Sequence, residues 1–340
     1  MAVTYQDLFL EGMKLIEPLC VTAGDAQREV REVICTAAGK TFEQLSRDIK
    51  LYTTDAIVNR VRAMYERRKN GEPLAYITGW QGFFGIDVEV NPSTLIPRTD
   101  TEVLVARTLR VAEKMEGNLR VLDLCAGTGC VGLAIANDLK NVRAVLVDSC
   151  DGAVELCKRN IRHNKLTGRV VHVKGDALQP PSPALGRFDI LVSNPPYIPS
   201  AHIAVLDRSV RDYEPRLALD GGEDGLTFYR AIGTLWRSAV KPGGLILCEV
   251  GIGQSGQVGY LFSQLGYEDV RITRDHAGID RVVEARVPEE REYPDLLLEK
   301  TEEPASAPAE NAGQNADAGQ SANAGQNADA EQNANAGKDE

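Results

Sequence analysis

The sequence has 340 residues and a formal net charge of −11, most of it in residues 301–340, which hold eight acidic residues and one lysine. The rest of the chain is only mildly acidic, which argues against direct nucleic-acid binding and against attachment to an anionic membrane. The seven cysteines include no Cys-x-x-Cys pair, a pattern that is typical of reduced cytosolic thiols. Because no cysteines lie at the spacing of metal ligands, we expect no metal site. Because the chain has no leader-like N-terminus and no apolar run of membrane-spanning length, we expect a cytoplasmic protein.

Short helices with recognisable first residues are predicted over residues 4–69. Each starts at a threonine or aspartate that precedes an amphipathic stretch: Thr4, Asp25, Thr41 and Thr54. We assign residues 1–70 to a small helical domain.

The pattern changes from Pro73 to Val90, where glycines separate aromatic and β-branched residues. This pattern predicts a β-hairpin within a linker, residues 71–97. The block Thr99-Asp100-Thr101-Glu102 then predicts a capping box at the start of a helix. A second domain, residues 98–288, begins there.

Apolar runs of strand length alternate with helical stretches in the second domain. Five runs are separated by segments long enough for a crossover: 120–125, 143–148, 170–175, 188–193 and 245–250. This alternation predicts a parallel sheet covered on both faces. Two further runs, 267–274 and 279–287, are too close for a crossover and predict an antiparallel hairpin. Such a seven-stranded, Rossmann-like α/β sheet is the layout of class I methyltransferases.

The end of the chain has a different composition. An eight-residue segment starting at Asn311 recurs at Asn323, and this tract has no aromatic or large aliphatic residue. It cannot bury enough apolar area to offset chain entropy. We predict a disordered, low-complexity acidic tail over residues 289–340.

The block Asn194-Pro195-Pro196-Tyr197 follows directly on the run 188–193, so a buried parallel strand delivers it to the edge where open α/β sheets bind ligands. The two prolines fix φ and lack N–H groups, so the loop offers acceptors, namely the Asn194 side-chain oxygen and backbone carbonyls. Acceptors beside an aromatic ring suit a substrate with a planar NH2 group. These four residues alone admit an amide, an exocyclic base amine or a turn without function.

A second block, from Asp123 to Cys130, lies at the turn from the first sheet strand into a helix. Gly127 and Gly129 allow a ligand to approach the backbone, and the helix N-terminus offers free N–H groups. The third glycine of a dinucleotide fingerprint is missing at the required spacing, which counts against a pyrophosphate. Asp148, about 20 residues on, is placed to bind both hydroxyls of a ribose or to cap the next helix.

Asp176 follows the third strand and is placed either to contact an adenine amino group or to serve as an ordinary loop acid. An adenosine carried without a pyrophosphate on this topology indicates S-adenosylmethionine. We assign cofactor binding to ten residues: Asp123, Cys125, Ala126, Gly127, Thr128, Gly129, Asp148, Asp176, Ala177 and Asn194.

Five ordered blocks together carry a family resemblance: Leu95 to Glu102, Asp123 to Gly129, Asn194 to Tyr197, Glu214 to Arg230 and Ala277 to Val283. With them the chain resembles the N5-glutamine methyltransferases of peptide-chain release factors, the PrmC/HemK family, over roughly residues 5 to 287. The resemblance implies methylation of the glutamine in the Gly-Gly-Gln tip of a class 1 release factor, with S-adenosylmethionine as methyl donor. It also implies that the N-terminal helical domain contacts the release factor.

Two departures from the family pattern concern the cofactor. The family often has glycine where this chain has Cys125, which implies that φ is negative at this position here. It often has an aromatic residue where this chain has Ala177, so stacking on adenine from that position is in doubt. Both departures bear on cofactor affinity more than on reaction type.

An amide nitrogen is a poor nucleophile because its lone pair is delocalised into the carbonyl. We expect the Asn194 side-chain oxygen and the Pro195 carbonyl to accept the two N–H bonds of the substrate glutamine, while Tyr197 packs on the amide plane. Substrate binding is assigned to these three residues and to Pro196, Arg98 and Glu214. Arg98 and Glu214 have an alternative interpretation as a surface or structural ion pair, and Glu249 has a similar status.

Three alternatives stay open. The same loop on this fold also serves adenine N6 and guanine N2 amino groups of nucleic acids. A related branch of the family modifies a glutamine of a ribosomal protein. A silent scaffold that binds its partner without methylating it is the third. We expect a monomer in each case.

Overall fold

The computed structural model describes residues 2–289, so the predicted tail lies outside the described residues apart from Glu289. Four helices open the chain: α1 Tyr5–Ile16, α2 Ala23–Ala38, α3 Phe42–Asp48 and α4 Asp55–Lys69. The predicted starts at Thr4, Thr41 and Thr54 are confirmed, since each side chain accepts a backbone N–H of the first turn. The start at Asp25 is wrong, because Thr22 caps α2 by accepting the Asp25 N–H at 3.1 Å.

The N-terminal helices enclose a core of their own around Tyr65, whose side chain is fully buried. The Tyr65 hydroxyl donates to the Leu8 carbonyl at 3.1 Å. A Cβ at Gly12 would stand 2.4 Å from that hydroxyl oxygen, so α1 and α4 approach each other through a glycine. The predicted domain boundaries at residues 70, 97 and 288 stay predictions.

The linker contains the predicted hairpin, with strands β1 Trp80–Phe83 and β2 Ile86–Glu89. Its two-residue turn has positive φ at both Phe84 and Gly85, the geometry that matches the twist of the strands. The pattern that predicted the hairpin begins at Pro73, but the first strand starts only at Trp80. Residues Leu74–Thr78 form a short helix, α5, which ends at Gly79 with φ of 83°.

The helix after the linker, α6, spans Glu102–Ala112 and follows a 3-10 turn at Thr99–Thr101. The predicted capping box does not form. The Glu102 carboxylate instead accepts the backbone N–H of Phe84 at 3.0 Å and holds the hairpin turn against α6. The Thr101 side chain makes no capping bond either, which leaves its hydroxyl available to other partners.

The second domain contains one seven-stranded sheet, as predicted. Its strands are β3 Leu119–Leu124, β4 Val142–Asp148, β5 Val170–Lys174, β6 Phe188–Ser193, β7 Val240–Glu249, β8 Glu268–Arg274 and β9 Asp280–Arg286. They lie in the order β5-β4-β3-β6-β7-β9-β8, the first five parallel and the hairpin β8-β9 antiparallel. The α/β methyltransferase fold expected from the sequence is confirmed. β7 begins five residues earlier than predicted, because a register shift between Phe188 and Ile190 accommodates its glycines.

Helices cover both faces of this sheet. Besides α6 they are α7 Cys130–Asp138, α8 Asp151–His163, α10 Thr227–Thr234 and α11 Ser255–Gln264. The short helix α9, Arg208–Arg211, has no buried residue and contacts the 3-10 segment Ser200–Val205. Successive residues of β3 alternate between two cores, with Val121 in one and Leu122 in the other. Burial on both faces explains why the central strands β3 and β6 are nearly continuous apolar runs, whereas β5 and β8 at the edges are more exposed. No helix within residues 2–289 is long and apolar enough to cross a membrane.

Candidate active site

A cavity of about 490 Å³ lies at the carboxyl ends of the parallel strands. Nine of the ten predicted cofactor residues line it: Asp123, Cys125, Ala126, Gly127, Thr128, Asp148, Asp176, Ala177 and Asn194. Pro196 lines it as well. Strands that are far apart in the chain therefore bring the predicted residues together, because parallel strands present their carboxyl ends at one edge.

Five predicted site residues are not among the described residues that line this cavity: Gly129, Pro195, Tyr197, Arg98 and Glu214. Gly129 has φ of 81° and precedes the first residue of α7. A Cβ there would stand 2.7 Å from a methyl carbon of Leu146, so this glycine lets α7 pack against β4. The structure thus shows a packing role for Gly129, and its contact with the cofactor stays a prediction.

Asp148 ends β4 and holds the glycine turn in place. Its Oδ2 accepts the Gly127 N–H at 2.8 Å, and its Oδ1 accepts the Cys150 N–H at 2.9 Å. Burial raises the pKa of this carboxyl, and the backbone N–H donors oppose that rise. A carboxylate has about four acceptor sites, more than these backbone donors occupy, so the group can still accept a hydrogen bond from a ligand in the cavity.

Asp123 is the penultimate residue of β3, and its side chain contacts the first turn of α7. Its Oδ2 accepts the Gly132 N–H at 2.8 Å. A Cβ at Gly132 would stand 3.1 Å from that oxygen, so the glycine is required for the close contact. Burial raises the pKa of Asp123 to about 7, and the nearby Asp148 charge adds to the rise.

This raised pKa predicts a pH-dependent difference between the wild type and Asp123→Asn. The contribution of Asp123 to the stability of the fold is fully present below the pKa that this residue has in the unfolded chain, near 4. It is lost as the pH rises through about 7, the pKa in the folded protein. Asparagine retains an acceptor for Gly132 and does not titrate. Between pH 5 and pH 8 we therefore expect the free energy of unfolding of the wild type to fall by about 2 kcal/mol relative to that of Asp123→Asn. Urea unfolding at several pH values tests this, and a constant difference would contradict it.

The expectation of a negative φ at Cys125 is wrong, because its φ is 61°. The turn after β3 requires the left-handed region at this position, and the Ala126 N–H then donates to the Val147 carbonyl at 3.0 Å. A side chain other than hydrogen is strained there. Burial raises the pKa of the Cys125 thiol well above its ordinary value, which favours the neutral form.

The strain at Cys125 predicts that glycine is favoured over alanine at this position, whereas alanine is favoured over glycine inside a helix. We expect Cys125→Gly to be more stable than Cys125→Ala by about 1 kcal/mol, because both remove the thiol and only glycine adopts positive φ freely. Cys157 lies in the middle of α8 and is the matched control. At that position alanine should be the more stable by about 1 kcal/mol. Thermal unfolding of the four variants measures both differences, and the same sign at both positions would refute the strain.

The loop after β6 contains hydrogen-bond acceptors that have no donor among the described residues. Asn194 Nδ2 donates to the Thr101 hydroxyl oxygen at 3.1 Å. Neither Asn194 Oδ1 nor the Pro195 carbonyl accepts a hydrogen bond from any residue between 2 and 289. These are the two acceptors that the sequence predicted; Asn194 lines the cavity, and Pro195 is the buried residue next to it.

Several contacts make the loop rigid. The Tyr197 carbonyl accepts the Gln254 side-chain N–H at 2.9 Å. A Cβ at Gly221 would stand 2.7 Å from the Tyr197 Cα, so the chain after the loop packs directly on backbone. Ile198 extends this packing through backbone hydrogen bonds with Leu219 and Gly221. The acceptors are therefore held in place before any ligand binds.

Arg98 and Glu214 form an ion pair with each other. The Glu214 side chain is almost fully buried, and its second oxygen accepts the Ile96 N–H at 3.1 Å. The pair ties together two segments that supply walls of the cavity, one before α6 and one after α9. The structure thus shows the pairing, and a role of either side chain in substrate binding stays a prediction.

Part of the cavity wall was not assigned from the motifs. These residues flank the ion pair or open α10: Pro92, Ser93, Thr94, Leu95, Pro97, Pro215, Leu217, Ala218 and Phe228. None has an ionisable side chain or a spacing that would single it out in the sequence. The sequence blocks around Arg98 and Glu214 that carry the family resemblance contain several of these residues, so those blocks could have indicated this part of the wall.

Comparisons with known proteins agree with this geometry. The family model "Methyltransferase small domain" matches residues 100–222, and "PrmC N-terminal domain" matches residues 20–79. A release factor glutamine methyltransferase of Geobacter sulfurreducens is 45% identical over 229 residues, 66% of this chain and 77% of the relative. This chain belongs to the release factor glutamine methyltransferase family. The resemblance inferred from the sequence blocks is confirmed.

Other members of the family match over more of the chain. One from Moorella thermoacetica is 36% identical over 266 residues, 77% of this chain and 92% of the relative. Among solved structures, a release factor-specific protein-(glutamine-N5) methyltransferase of Alicyclobacillus acidocaldarius is 30% identical. It matches with a TM-score of 0.36 and covers 59% of this chain and 99% of that chain.

Proposed function

We propose that this enzyme methylates the side-chain amide nitrogen of the glutamine in the Gly-Gly-Gln motif of class 1 peptide-chain release factors, with S-adenosylmethionine as methyl donor. The names of the curated relatives support the reaction and the kind of substrate. The observation that carries the proposal is the pair of free acceptors, Asn194 Oδ1 and the Pro195 carbonyl, on a rigid loop beside the cavity. A primary amide has two N–H bonds, which match two acceptors.

The cavity fits the cofactor in size and in chemistry. Its volume of about 490 Å³ is in the range of small-molecule sites. Asp148 would accept the ribose hydroxyls and Asp176 the adenine amino group, while the turn at Gly127 lets the ligand approach the backbone. When bound, S-adenosylmethionine supplies an activated methyl group on a sulfonium centre.

The protein contributes orientation and electrostatic stabilisation. Asn194 Oδ1 and the Pro195 carbonyl hold both N–H bonds of the glutamine and aim its nitrogen at the methyl group. As positive charge grows on that nitrogen, the partial negative charges of the two oxygens stabilise it. Tyr197 packs against the amide plane. An N-alkylated amide cation is acidic enough to lose its proton to water, so no general base is required.

The remaining assignments follow from this reaction. The N-terminal domain, residues 1–70, contacts the release factor. The enzyme acts as a monomer in the cytoplasm, where release factors work, and binds no nucleic acid directly. The mild acidity of the chain outside its tail supports the last point.

The test compares two substrates. Purified enzyme is incubated with labelled S-adenosylmethionine and a class 1 release factor that carries either Gly-Gly-Gln or Gly-Gly-Ala. We expect label in the first factor only. Equal labelling of both would eliminate the glutamine as acceptor, and labelling of ribosomal protein or nucleic acid in its place would favour the alternatives.

A further inference from the structure

A buried asparagine of α8, Asn160, connects the linker hairpin with the glycine turn after β3. Asn160 is 0% exposed. Its Oδ1 accepts the Glu89 N–H at 2.7 Å, and its Nδ2 donates to the Glu89 carbonyl at 3.1 Å. The same Nδ2 also donates to the Thr128 carbonyl at 3.0 Å. The amide thus uses both donors and one acceptor on the backbone of two segments that are far apart in the chain.

The contact with Glu89 follows from the geometry of the hairpin. In an antiparallel pair, alternate residues direct their backbone groups at the partner strand, and the residues between them direct theirs outward. The Val90 N–H donates to the Gly79 carbonyl, so the backbone groups of Glu89 point away from β1. Backbone groups on such an edge need partners from elsewhere in the fold. The side chain of Asn160 supplies an acceptor and a donor.

The other end of the contact lies in the wall of the cavity. Thr128 lines the cavity and follows Gly127, whose N–H donates to Asp148. Glu89 lies three residues before Pro92, where the linker enters the wall. The amide of α8 therefore fixes two separate parts of the wall relative to each other.

A second asparagine of the same helical region makes the comparison possible. Asn164, one turn after Asn160, donates to the Asp87 carbonyl at 2.9 Å and to the Asn160 carbonyl at 3.0 Å. Asp87 is the other outward residue of β2, so both asparagines bind the same edge of the hairpin. Only Asn160 also bonds to the glycine turn. Attachment of the hairpin alone therefore does not account for its third hydrogen bond.

We propose that Asn160 is a positioning residue of the cofactor site, which holds the Thr128 carbonyl and fixes the linker hairpin to the same turn through Glu89. The inference rests on the proposed function, because it takes S-adenosylmethionine as the ligand of this turn. A turn that is already held in place binds its ligand more tightly, since the ligand does not have to order it. The coupling is reciprocal, so bound cofactor must stabilise the contact between the hairpin and α8.

Asn160→Ala removes the whole contact, and Asn164→Ala is the matched control. Both variants delete an amide that donates to the outward edge of β2, and only the first loses the bond to Thr128. Calorimetry measures the dissociation constant of S-adenosylmethionine. Single-turnover methyl transfer to the release factor is measured at saturating cofactor, with circular dichroism to verify folding.

We expect Asn160→Ala to raise the cofactor dissociation constant by about tenfold or more. The single-turnover rate at saturating cofactor should stay close to the wild type, because no hydrogen bond of this side chain goes to the Asn194 to Tyr197 loop. Asn164→Ala should change neither quantity. An unchanged dissociation constant in Asn160→Ala would overturn the proposal, and so would an equal rise in Asn164→Ala, since a loosened hairpin would then be sufficient.

The wild type separates this inference from the proposed reaction. If it bound no S-adenosylmethionine, the proposed cofactor and this inference would both be wrong. If it bound the cofactor and left the release factor unlabelled, the proposed reaction would be wrong, and the dissociation constants of the variants would still decide the role of Asn160.

Amide hydrogen exchange of the wild type provides a test that does not depend on the folding of a variant. The Glu89 N–H bonds to Asn160, whereas the Phe84 N–H of the same hairpin bonds to Glu102 of α6 at 3.0 Å. We expect saturating S-adenosylmethionine to slow exchange at Glu89 by about tenfold and to leave Phe84 nearly unchanged. Equal slowing at both positions, or none at Glu89, would contradict the coupling through Asn160.

Discussion

Replacement of Asn194 with alanine should lower the turnover number by about a thousandfold while S-adenosylmethionine still binds. The variant loses the oxygen that holds one N–H of the glutamine and stabilises the growing charge. It keeps the cavity, because the glycine turn and Asp148 hold their geometry without Asn194. Steady-state methyl transfer and calorimetric titration of the cofactor measure the two properties separately.

A control separates this effect from a general loss of an asparagine. Asn141 lies far along the chain in an exposed position, and its side chain donates only to the Gly117 carbonyl, at 2.8 Å. Asn141→Ala should retain wild-type turnover. Turnover retained in Asn194→Ala would refute the role given to this residue, and a matching loss of cofactor affinity would show that its role is in cofactor binding instead.

Much of the fold and of the site could be predicted because the signals are local. A buried parallel strand is a continuous apolar run, and β6 was predicted with its bounds, Phe188–Ser193, as observed. A strand end also places the next polar residue at the ligand edge of the sheet. Asp148 and Asn194 could therefore be assigned to one site, although no sequence signal gives their distance.

The errors arose where distant parts of the chain meet. The predicted capping box at Glu102 has the correct residue types, but the Glu102 carboxylate accepts the N–H of Phe84 in the hairpin turn instead of a backbone N–H at the start of its own helix. The positive φ of Cys125 is imposed by the tight turn between β3 and α7, and cysteine itself gives no sign of it. The contact of Glu249 with the Tyr197 hydroxyl, at 3.5 Å, depends on the pairing of β7 with β6, which is a tertiary property and was not predicted.

Asp148→Asn should raise the dissociation constant of S-adenosylmethionine by about a hundredfold. The amide nitrogen cannot accept, so one of the two backbone N–H groups, of Gly127 or Cys150, loses its partner, and one ribose hydroxyl does too. The fold should tolerate the change, because burial already disfavours the charged form of Asp148.

Asp151→Asn is the matched control for this variant. Asp151 is an exposed acid in the first turn of α8, only three residues away, and pairs with Lys174 at the surface at 2.7 Å. Its replacement should leave the cofactor dissociation constant unchanged, because an exposed pair contributes little. Calorimetry at equal ionic strength, with circular dichroism to verify folding, compares the two. If both variants bound S-adenosylmethionine with equal affinity, Asp148 would only hold the glycine turn in place, and its contact with the ribose would be excluded.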